Sequence, residues 1–509
     1  DHAPVGTEPA TLDSLVRRAA AERPHQLALA DPPNRDTFFS GASRRFTWSE
    51  LDEATTAVAQ QLRDVGAGPG AAVGIQLPNT CELVVSLLAC ARIGAIAVPF
   101  PIQHRRHELR HGVEAADIVL MVTAARPDRP DQLTTVASVL AERAGDGGPA
   151  GAVAVFGPDR PADATALDLD AEVVVAAPFA STTTDDVLTV CWTSGTTGTP
   201  KGVPRTNAMW FASASFQVDQ LAITADDRIL CPFPIVNMAG IGGMLIPWAM
   251  AGATLILHQP LDLPVFLGQV EDEAITYTVA PPALLNMLLA TPDMLDGVDL
   301  SHIRAISSGS APLDPWMVAG WQERGIEIVN VFGSNEGAAM LSTRARVPDP
   351  EQRARFFPVP DRPGVDVRLV DLDSGDEITE PGRTGELRFR GPTVFAGYLG
   401  SDGTEFDDQG FYRTGDIFQY AGTDDPPRLL QFVDRAKDII IRGGMNISAA
   451  ELEALVSNMP QVAECAAVGY PDRDLGERVG LFVVTTAPPA PDLESVISHL
   501  RDVGVASYK

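Results

Sequence analysis

Cysteine is the first residue type that this chain of 509 residues has little of. It holds five cysteines, which are scattered along the chain without any C-x-x-C spacing. An odd and scattered set of this kind excludes a disulfide framework and is typical of a protein in a reducing compartment. The first residues also lack the basic stretch and apolar stretch of a secretion signal. We therefore expect a cytoplasmic protein.

Positive charge is also scarce. Lysine and arginine total 38 against 67 aspartates and glutamates, which gives a formal net charge of −29. Such a chain repels phosphate backbones and anionic membrane surfaces, so nucleic acid and acidic lipid are poor candidates as partners.

A continuous apolar span is missing as well. Residues 231–261 carry no charge, but Pro232, Pro234, Pro247 and several glycines interrupt them. The pattern predicts a loop, a helix, a turn and a buried strand in this segment, and no transmembrane helix.

What the sequence does contain is apolar material for large cores. Hydrophobic residues make up 45% of the chain, and its length exceeds what one core usually organises. Up to about residue 345, short apolar runs such as 71–77 and 118–122 alternate with helical patterns such as 81–92. This rhythm predicts parallel-rich sheets flanked by helices.

The pattern changes after about residue 346, where short alternating segments predict antiparallel β structure. An apolar run at 439–441, followed by an amphipathic run at 448–459, then predicts a hairpin that leads into a helix. The sequence thus predicts an α/β fold with two domains. Residues 1–436 form a large N-terminal domain with a β-rich subdomain, and residues 437–509 form a small α+β domain.

The most distinctive local feature is the sequence TSGTTGTPKG at residues 193–202, directly after an apolar strand predicted at 187–192. Its glycines allow a tight backbone turn close to a ligand, and its hydroxyls and Lys201 supply donors, which suits a polyphosphate. It is not a Walker loop, because Pro200 precedes the lysine and Gly202 follows it. A surface loop rich in small polar residues is disfavoured by the lysine and the preceding strand.

With this loop the sequence resembles the adenylate-forming enzymes, the superfamily of acyl- and aryl-CoA synthetases, peptide-synthetase adenylation domains and luciferases. Further matches follow in the family's order. Residues 308–313 resemble its adenine-side turn, 330–336 its aromatic-Gly-x-Thr-Glu motif, and 411–416 its ribose-binding motif. Residues 434–453 are similar to the hinge and to the opening of its mobile C-terminal domain. Residues 47–509 are covered, and a free-standing acyl- or aryl-CoA ligase is the nearest likeness.

The resemblance implies a reaction in two steps. A substrate carboxylate attacks the α-phosphorus of ATP, which gives an acyl-adenylate and pyrophosphate, and a thiol then takes the acyl group and releases AMP. Such a transfer depends on positioning and charge neutralisation, so it needs no covalent protein intermediate. The implied cofactors are ATP, Mg²⁺ and CoA.

The resemblance also assigns roles to residues. Glu336 is implied as the Mg²⁺ ligand and Lys437 as the hinge residue, while Gly443 and Gly444 would line the thiol tunnel. The catalytic residues implied are Thr193, Lys201, Glu336 and Lys437. The nucleotide-binding residues implied are Ser194, Gly195, Thr196, Thr197, Gly198, Gly309, Ser310, Ala311, Asn330, Phe332, Gly333, Ser334, Asn335, Asp416 and Arg435.

The chemistry of four of these side chains suits a nucleotide. Phe332 offers a π face for adenine, and Asn330 offers an amide for the base edge. Asp416 is an acceptor for two ribose hydroxyls, and Arg435 is a permanent cation for ribose or phosphate oxygens.

Two features depart from the family pattern. Asn335 stands where the family has threonine, although its amide can still donate to a phosphate. The family's second catalytic lysine lies beyond a segment like 506–509, so we expect the protein to continue past Lys509. These departures motivate the hypothesis of a non-catalytic nucleotide-binding relative. Two rival hypotheses keep the adenylation step: a ligase that loads a carrier-protein phosphopantetheine, and a luciferase-like oxidative enzyme.

The family's acyl pocket corresponds in part to residues 232–243. Asn237 cannot supply the carboxylate with which peptide-synthetase domains grip a substrate ammonium, so an α-amino acid is disfavoured. The pocket residues implied are Trp210, Asn237, Gly240, Gly242 and Gly243. Because the glycines leave room among apolar neighbours, the segment predicts an aryl or bulky apolar acid. A second interpretation is that these glycines serve close helix packing.

Three histidines, His104, His107 and His111, share helical spacing and could suggest a zinc site. Their arginine-rich surroundings disfavour a cation, so we interpret them as a solvated helix face.

Overall fold

The structure of the chain is a computed structural model. The structure describes residues 10–145, 151–158, 160–172, 177–193, 200–422, 428–436, 438–442, 445–472 and 476–502. Its Cα atoms group into two compact units. The first unit comprises Asp1–Ala354 and Gly391–Glu405, and the second unit comprises Arg355–Arg390 and Phe406–Lys509. The domain boundary at residue 436 stays a prediction.

A seven-stranded sheet in the first unit carries the strand that precedes the glycine-rich loop. Neighbouring strands are parallel except for the last pair, which is antiparallel. In spatial order the strands are Thr165–Leu167, Ala152–Phe156, Leu120–Ala124, Ala72–Ile75, Ile96–Pro99, Val187–Thr193 and Lys201–Thr206. The central strands Leu120–Ala124 and Ala72–Ile75 are buried throughout, as expected of parallel strands that are covered on both faces.

An eight-stranded sheet completes the first unit. Its inner strands are parallel, and one antiparallel strand borders the sheet at each edge. In spatial order the strands are Ala339–Ser342, Glu327–Gly333, Ala305–Gly309, Tyr277–Val279, Arg228–Cys231, Thr254–Leu257, Leu27–Ala30 and Arg45–Thr47.

Helices alternate with these strands along the chain, because parallel neighbours need crossover connections. The α-helices are Leu12–Glu22, Trp48–Asp64, Cys81–Ile93, Arg106–Ala115, Gln132–Gly145, Asn207–Gln220, Ile246–Ala251, Leu263–Asp272, Pro282–Ala290, Pro315–Glu323 and Pro350–Arg355. Short 3₁₀ helices span Arg35–Thr37 and Pro292–Leu295. Helix Cys81–Ile93 is buried on every face, which explains its nearly uninterrupted apolar sequence.

The uncharged segment folds as the sequence predicts. It forms a π-helix at Met238–Leu245, an α-helix at Ile246–Ala251 and a buried strand at Thr254–Leu257. Across the part of the chain that the structure describes, helices are too short or too polar to span a bilayer.

The second unit contains two antiparallel sheets. The six-stranded sheet consists, in order, of Phe356–Pro358, Leu429–Arg435, Tyr412–Ala421, Thr384–Arg390, Asp366–Val370 and Glu377–Ile378. The four-stranded sheet consists of Met445–Ser448, Ile439–Arg442, Gly476–Thr485 and Val462–Asp472, and it is accompanied by helices Ala449–Ser457 and Leu493–Asp502. The predicted α/β fold, with its antiparallel region and its hairpin-to-helix C-terminal part, is confirmed.

One carboxylate joins the two sheets of the second unit. Asp434 lies near the end of the strand Leu429–Arg435, and its Oδ2 accepts hydrogen bonds from Ser448 Oγ at 2.6 Å and Ala450 N at 3.2 Å. The second of these bonds satisfies an amide at the start of helix Ala449–Ser457, where intrahelical partners are missing.

Candidate active site

The two ends of the glycine-rich loop are fixed against each other. Thr193 lies opposite Lys201, and Trp192 lies opposite Gly202, in the antiparallel pair that borders the seven-stranded sheet. Lys201 and Thr193 are half-buried. The predicted phosphate-binding residues Ser194, Gly195, Thr196, Thr197 and Gly198 lie outside the described residues. Their flanking residues are therefore placed together, as a phosphate-binding turn requires.

The predicted adenine-side residues lie at the carboxyl edge of the eight-stranded sheet. Gly309 pairs with Val331 across two parallel strands, and a Cβ at Gly309 would stand only 2.1 Å from the Val331 carbonyl oxygen. Glycine is therefore required for this close approach. Exposed Ser310 and Ala311 continue from the first strand, and half-buried Phe332 lies near the end of the second.

Gly333 and Ser334 extend the same edge. Gly333 is exposed, whereas the Ser334 hydroxyl is buried without a partner among the described residues. A buried donor of this kind is costly unless a ligand or water satisfies it. The sheet edge thus presents an aromatic ring, small residues and an unused hydroxyl, which fits a nucleotide.

Asn330 has a different environment from the one that its motif suggests. Its Nδ2 donates to the carbonyl oxygens of Arg353 at 3.1 Å and Ala354 at 2.9 Å, and its side chain is buried. The amide donors are thus engaged by the backbone of the first unit. Recognition of a base edge by Asn330 stays a prediction.

Asn335 connects the two sheets of the first unit. Its Nδ2 donates to Trp192 O at 3.1 Å, directly before the glycine-rich loop, and its Oδ1 accepts from Met238 N at 2.8 Å, at the start of the π-helix. Both ends of the amide are thus engaged by backbone groups. The structure brings the strand before the glycine-rich loop, the Glu336 motif and the predicted acyl segment together through this one side chain.

Glu336 follows directly and is only 6% exposed. Its Oε1 accepts a hydrogen bond from Tyr398 Oη at 2.8 Å, and its backbone oxygen accepts one from Phe395 N at 2.8 Å. The Lys201 ammonium lies 4.6 Å from the centroid of the Tyr398 ring. The two predicted catalytic charges therefore share one aromatic neighbour, which the sequence patterns do not reveal.

Arg205 is a second residue that the sequence patterns do not reveal. Its side chain is fully buried, and its guanidinium donates to the backbone oxygens of Asn335 at 3.0 Å and Thr393 at 2.9 Å. Burial lowers the pKa of Arg205 to about 10, so it remains a cation at neutral pH. The sequence feature that could have indicated a buried arginine is its position in a largely apolar stretch after the loop.

The predicted acyl segment is built around the π-helix. Asn237 Oδ1 accepts from Ala239 N at 3.1 Å and Gly240 N at 3.3 Å, so it caps this helix. A Cβ at Gly240 would stand 2.2 Å from Pro234 O, and one at Gly242 would stand 2.9 Å from the Trp210 ring. Both glycines serve close packing, as the second interpretation states, and Trp210 is fully buried.

Gly243 differs from its neighbours. A Cβ at this position would meet nothing closer than 3.8 Å, the distance to Gln217 Oε1 and to Met238 O. Gly243 is therefore the glycine of this segment at which a Cβ would make only ordinary van der Waals contacts. π-helices of this kind occur frequently at functional sites.

The donor set around Glu336 fits the magnesium that accompanies ATP. Among the described residues no group of three or more histidine, cysteine, aspartate or glutamate side chains is arranged to hold a metal. The described residues therefore do not form a site that binds a metal through several protein ligands. Mg²⁺ bound with ATP typically takes one or two carboxylates and completes its shell with phosphate oxygens and water, which one buried glutamate can satisfy.

The remaining predicted residues belong to the second unit. Asp416 pairs with Arg435 across two antiparallel strands, and Arg435 Nε lies 3.4 Å from Asp416 Oδ1. Asp416 is buried, whereas Arg435 is exposed. Lys437, Gly443 and Gly444 lie outside the described residues, and the hinge and tunnel roles stay predictions.

The histidine trio is only partly a solvated face. His107 is exposed, but His104 precedes helix Arg106–Ala115 and is half-buried, which lowers its pKa. His111 Nε2 lies 2.7 Å from Pro200 O, and its ring contacts Trp192 edge-on. The interpretation as a solvated helix face is therefore wrong for His111, which contacts Trp192 directly before the glycine-rich loop and Pro200 near its end.

Two family models and several known proteins match this chain over most of its length. A family model described as AMP-binding enzyme matches residues 16–399, and one described as AMP-binding enzyme C-terminal domain matches residues 451–509. An indoleacetate–CoA ligase from Aromatoleum aromaticum is 31% identical over 504 residues, which cover 98% of this chain and 92% of the relative. A medium-chain fatty-acid–CoA ligase from Escherichia coli is 29% identical, with coverage of 98% and 86%.

A solved structure shows the same fold. ATP-bound MatB from Rhodopseudomonas palustris matches with a TM-score of 0.82 at 26% identity, and the match covers 98% of this chain and 93% of that one. Because the family model covers residues 16–399, well over half of the sequence, the chain belongs to the AMP-binding enzyme family.

Proposed function

We propose that the protein is an AMP-forming acid–thiol ligase that uses ATP and Mg²⁺. It activates an aryl or bulky apolar carboxylic acid as an acyl-adenylate and transfers the acyl group to CoA. The observation that supports this most strongly is the Asn335 amide, which joins the end of the loop strand at Trp192 to the acyl segment at Met238. One residue thereby connects the places where a nucleotide and an acid must meet.

In the first step the acid's carboxylate oxygen bonds to the α-phosphorus, and the bond from that phosphorus to pyrophosphate breaks. Lys201 supplies a positive charge to the phosphates, and Thr193 supplies a hydroxyl at the start of the loop. Glu336 would hold Mg²⁺, which would supply positive charge to neutralise the phosphates when it is bound. Asn335 and Arg205 fix the segment that carries Glu336. Positioning and charge neutralisation account for the catalysis, and the protein forms no covalent bond to the acid.

In the second step the thiol attacks the carbonyl carbon of the adenylate, and AMP leaves with the bridging oxygen. Lys437 is proposed as the hinge for a rotation of the C-terminal domain, with Gly443 and Gly444 beside the thiol and with Asp416 and Arg435 at the ribose. CoA is favoured as the acceptor because relatives of matching length are named CoA ligases. A carrier-protein phosphopantetheine is the competing acceptor.

The direct test is pyrophosphate exchange into ATP across a panel of acids that contains arylacetic, cinnamic and medium-chain aliphatic acids and, as controls, amino acids. We expect exchange that depends on the aryl or apolar acids, followed by a thioester product with CoA. If the thioester forms with a carrier protein but not with CoA, the acceptor is the carrier protein. Absence of exchange with every acid would contradict the ligase function itself.

A substitution at Gly243 tests the assignment of the acid pocket. Because a Cβ at this position would make only ordinary van der Waals contacts, Gly243→Val is expected to fold but to narrow the pocket. The KM for bulky acids should rise about ten-fold or more relative to that for short acids, the effect of a few methyl groups in an apolar pocket. Steady-state kinetics and melting temperatures measure the two effects.

Gly268→Val is the matched control for that experiment. Gly268 also lies in a helix, has nothing within 4 Å of its Cβ position, and lies outside the predicted acyl segment. Its acid preference should match that of the wild type. If Gly243→Val also keeps the wild-type preference, the pocket does not adjoin Gly243.

A further inference from the structure

Tyr398 lies between the two charged groups on which the proposed adenylation depends. Its hydroxyl donates to Glu336 Oε1 at 2.8 Å, and its ring centroid lies 4.6 Å from Lys201 Nζ. All three residues belong to the first unit. A single side chain therefore contacts the predicted Mg²⁺ ligand through its polar end and the predicted phosphate-binding cation through its ring.

Both contacts fix a charged group without neutralising it. A phenol is a neutral donor, so it orients the Glu336 carboxylate and leaves its negative charge available to a cation. A lysine or arginine in the same place would compete with Mg²⁺ for that charge. The Tyr398 ring likewise attracts the Lys201 ammonium through its π face and occupies none of its N–H donors with an acceptor oxygen.

The backbone around Tyr398 is fixed independently of its side chain. Tyr398 N donates to Glu405 Oε1 at 2.9 Å, Leu399 N donates to Gly202 O at 2.9 Å, and Phe395 N donates to Glu336 O at 2.8 Å. The segment is thus bonded to the strand of Lys201 and to Glu336 by main-chain groups. A change of the phenol alone leaves these bonds in place.

We propose that Tyr398 is a positioning residue for adenylation, whose hydroxyl orients Glu336 for Mg²⁺ and whose ring places Lys201 for the phosphates of ATP. This role rests on the proposed function, because it presumes that Mg·ATP binds at Glu336 and Lys201. It assigns separate tasks to two parts of one side chain. The hydroxyl acts on metal-dependent binding, and the ring acts on binding of the phosphates.

Two variants separate these tasks. Tyr398→Phe removes the hydroxyl and keeps the ring, whereas Tyr398→Leu removes both. Tyr470→Phe is the matched control, since it removes an exposed phenol from the second unit. Calorimetric binding of ATP, once with Mg²⁺ and once with a chelator, measures the effects without any turnover. Melting temperatures show whether each variant is folded.

The expected results differ between the variants. Tyr398→Phe should weaken Mg·ATP binding about ten-fold, the size of one lost hydrogen bond to a charged group, and change metal-free ATP binding less than about two-fold. Tyr398→Leu should in addition weaken metal-free binding about three-fold, as the loss of a cation–π contact predicts. Tyr470→Phe should match the wild type in both titrations.

The following results would contradict the positioning role of Tyr398. If Tyr398→Phe binds Mg·ATP as the wild type does, or weakens both forms of ATP equally, the hydroxyl does not position a metal ligand. If Tyr398→Leu binds metal-free ATP normally, the ring does not position Lys201. A wild-type protein that binds Mg·ATP but exchanges no pyrophosphate with any acid contradicts the proposed function and leaves the binding result for Tyr398 valid.

Discussion

Glutamine in place of Glu336 is expected to slow acid-dependent pyrophosphate exchange by about a hundred-fold or more, the usual effect of removing one preorganised electrostatic contact. The amide has nearly the shape of the carboxylate, and its oxygen can still accept the hydrogen bond from Tyr398 Oη. The fold should therefore persist. What is lost is the negative charge that makes this side chain a ligand for Mg²⁺. Exchange rates measured over a range of Mg²⁺ concentrations, together with melting temperatures, check both statements.

An exposed glutamate that takes no part in these contacts provides the control. Glu114 pairs with Arg110 on the exposed face of helix Arg106–Ala115, and half of its side-chain surface is accessible. Glu114→Gln removes one negative charge from the protein just as Glu336→Gln does, and its exchange rate should stay within about two-fold of the wild type, as surface charges contribute little. If Glu336→Gln exchanges pyrophosphate at about the rate of this control, Glu336 is not a catalytic residue.

Gly337→Ala is expected to be strongly damaging, although it adds only a single methyl group. Gly337 has a φ of +99°, and a Cβ would stand 1.8 Å from Thr393 O and 2.6 Å from Arg205 Nη1. The backbone must therefore shift, and Glu336 with it. We expect a loss of about 3 kcal/mol in the free energy of unfolding and exchange about a thousand-fold slower. Chemical denaturation and the exchange assay measure these values.

A substitution at Gly325 distinguishes the effect of the steric clash from the effect of backbone strain. It has a similar φ of +86°, but nothing lies within 4 Å of its Cβ position. Gly325→Ala should cost only about 1–2 kcal/mol, the penalty for a side chain in the left-handed region, and should retain near-normal exchange. Equal stability and equal activity of the two alanine variants would show that the contact between Gly337 and Thr393 does not fix Glu336.

Local patterns in the sequence predict much of this protein. The apolar run before the glycine-rich loop is a strand, and the apolar run after Gly252 is a buried strand, because such runs reflect burial directly. The order of the motifs also predicts the family. Thr193, Lys201, Asn335 and Glu336 were predicted as site residues, and the structure brings them together in the first unit.

The contacts that connect those motifs could not be predicted in the same way. Asn335 and Trp192 are 143 residues apart in sequence, and Tyr398 and Glu336 are 62 apart. Periodicity and turn chemistry report on neighbours in sequence, whereas these hydrogen bonds depend on how distant segments of the chain pack in three dimensions. The same limit explains why Asn335 was predicted to donate to phosphate, while its amide in fact joins two backbone segments.

Transfer of isotopic oxygen tests the central claim most directly. An acid found active in the exchange panel is labelled with ¹⁸O in its carboxylate and incubated with the protein, Mg²⁺, ATP and CoA, and the products are analysed by mass spectrometry. If the carboxylate attacks the α-phosphorus and the thiol then displaces AMP, each AMP carries one ¹⁸O atom and pyrophosphate carries none. Unlabelled AMP, or label in pyrophosphate or phosphate, would contradict activation through an acyl-adenylate.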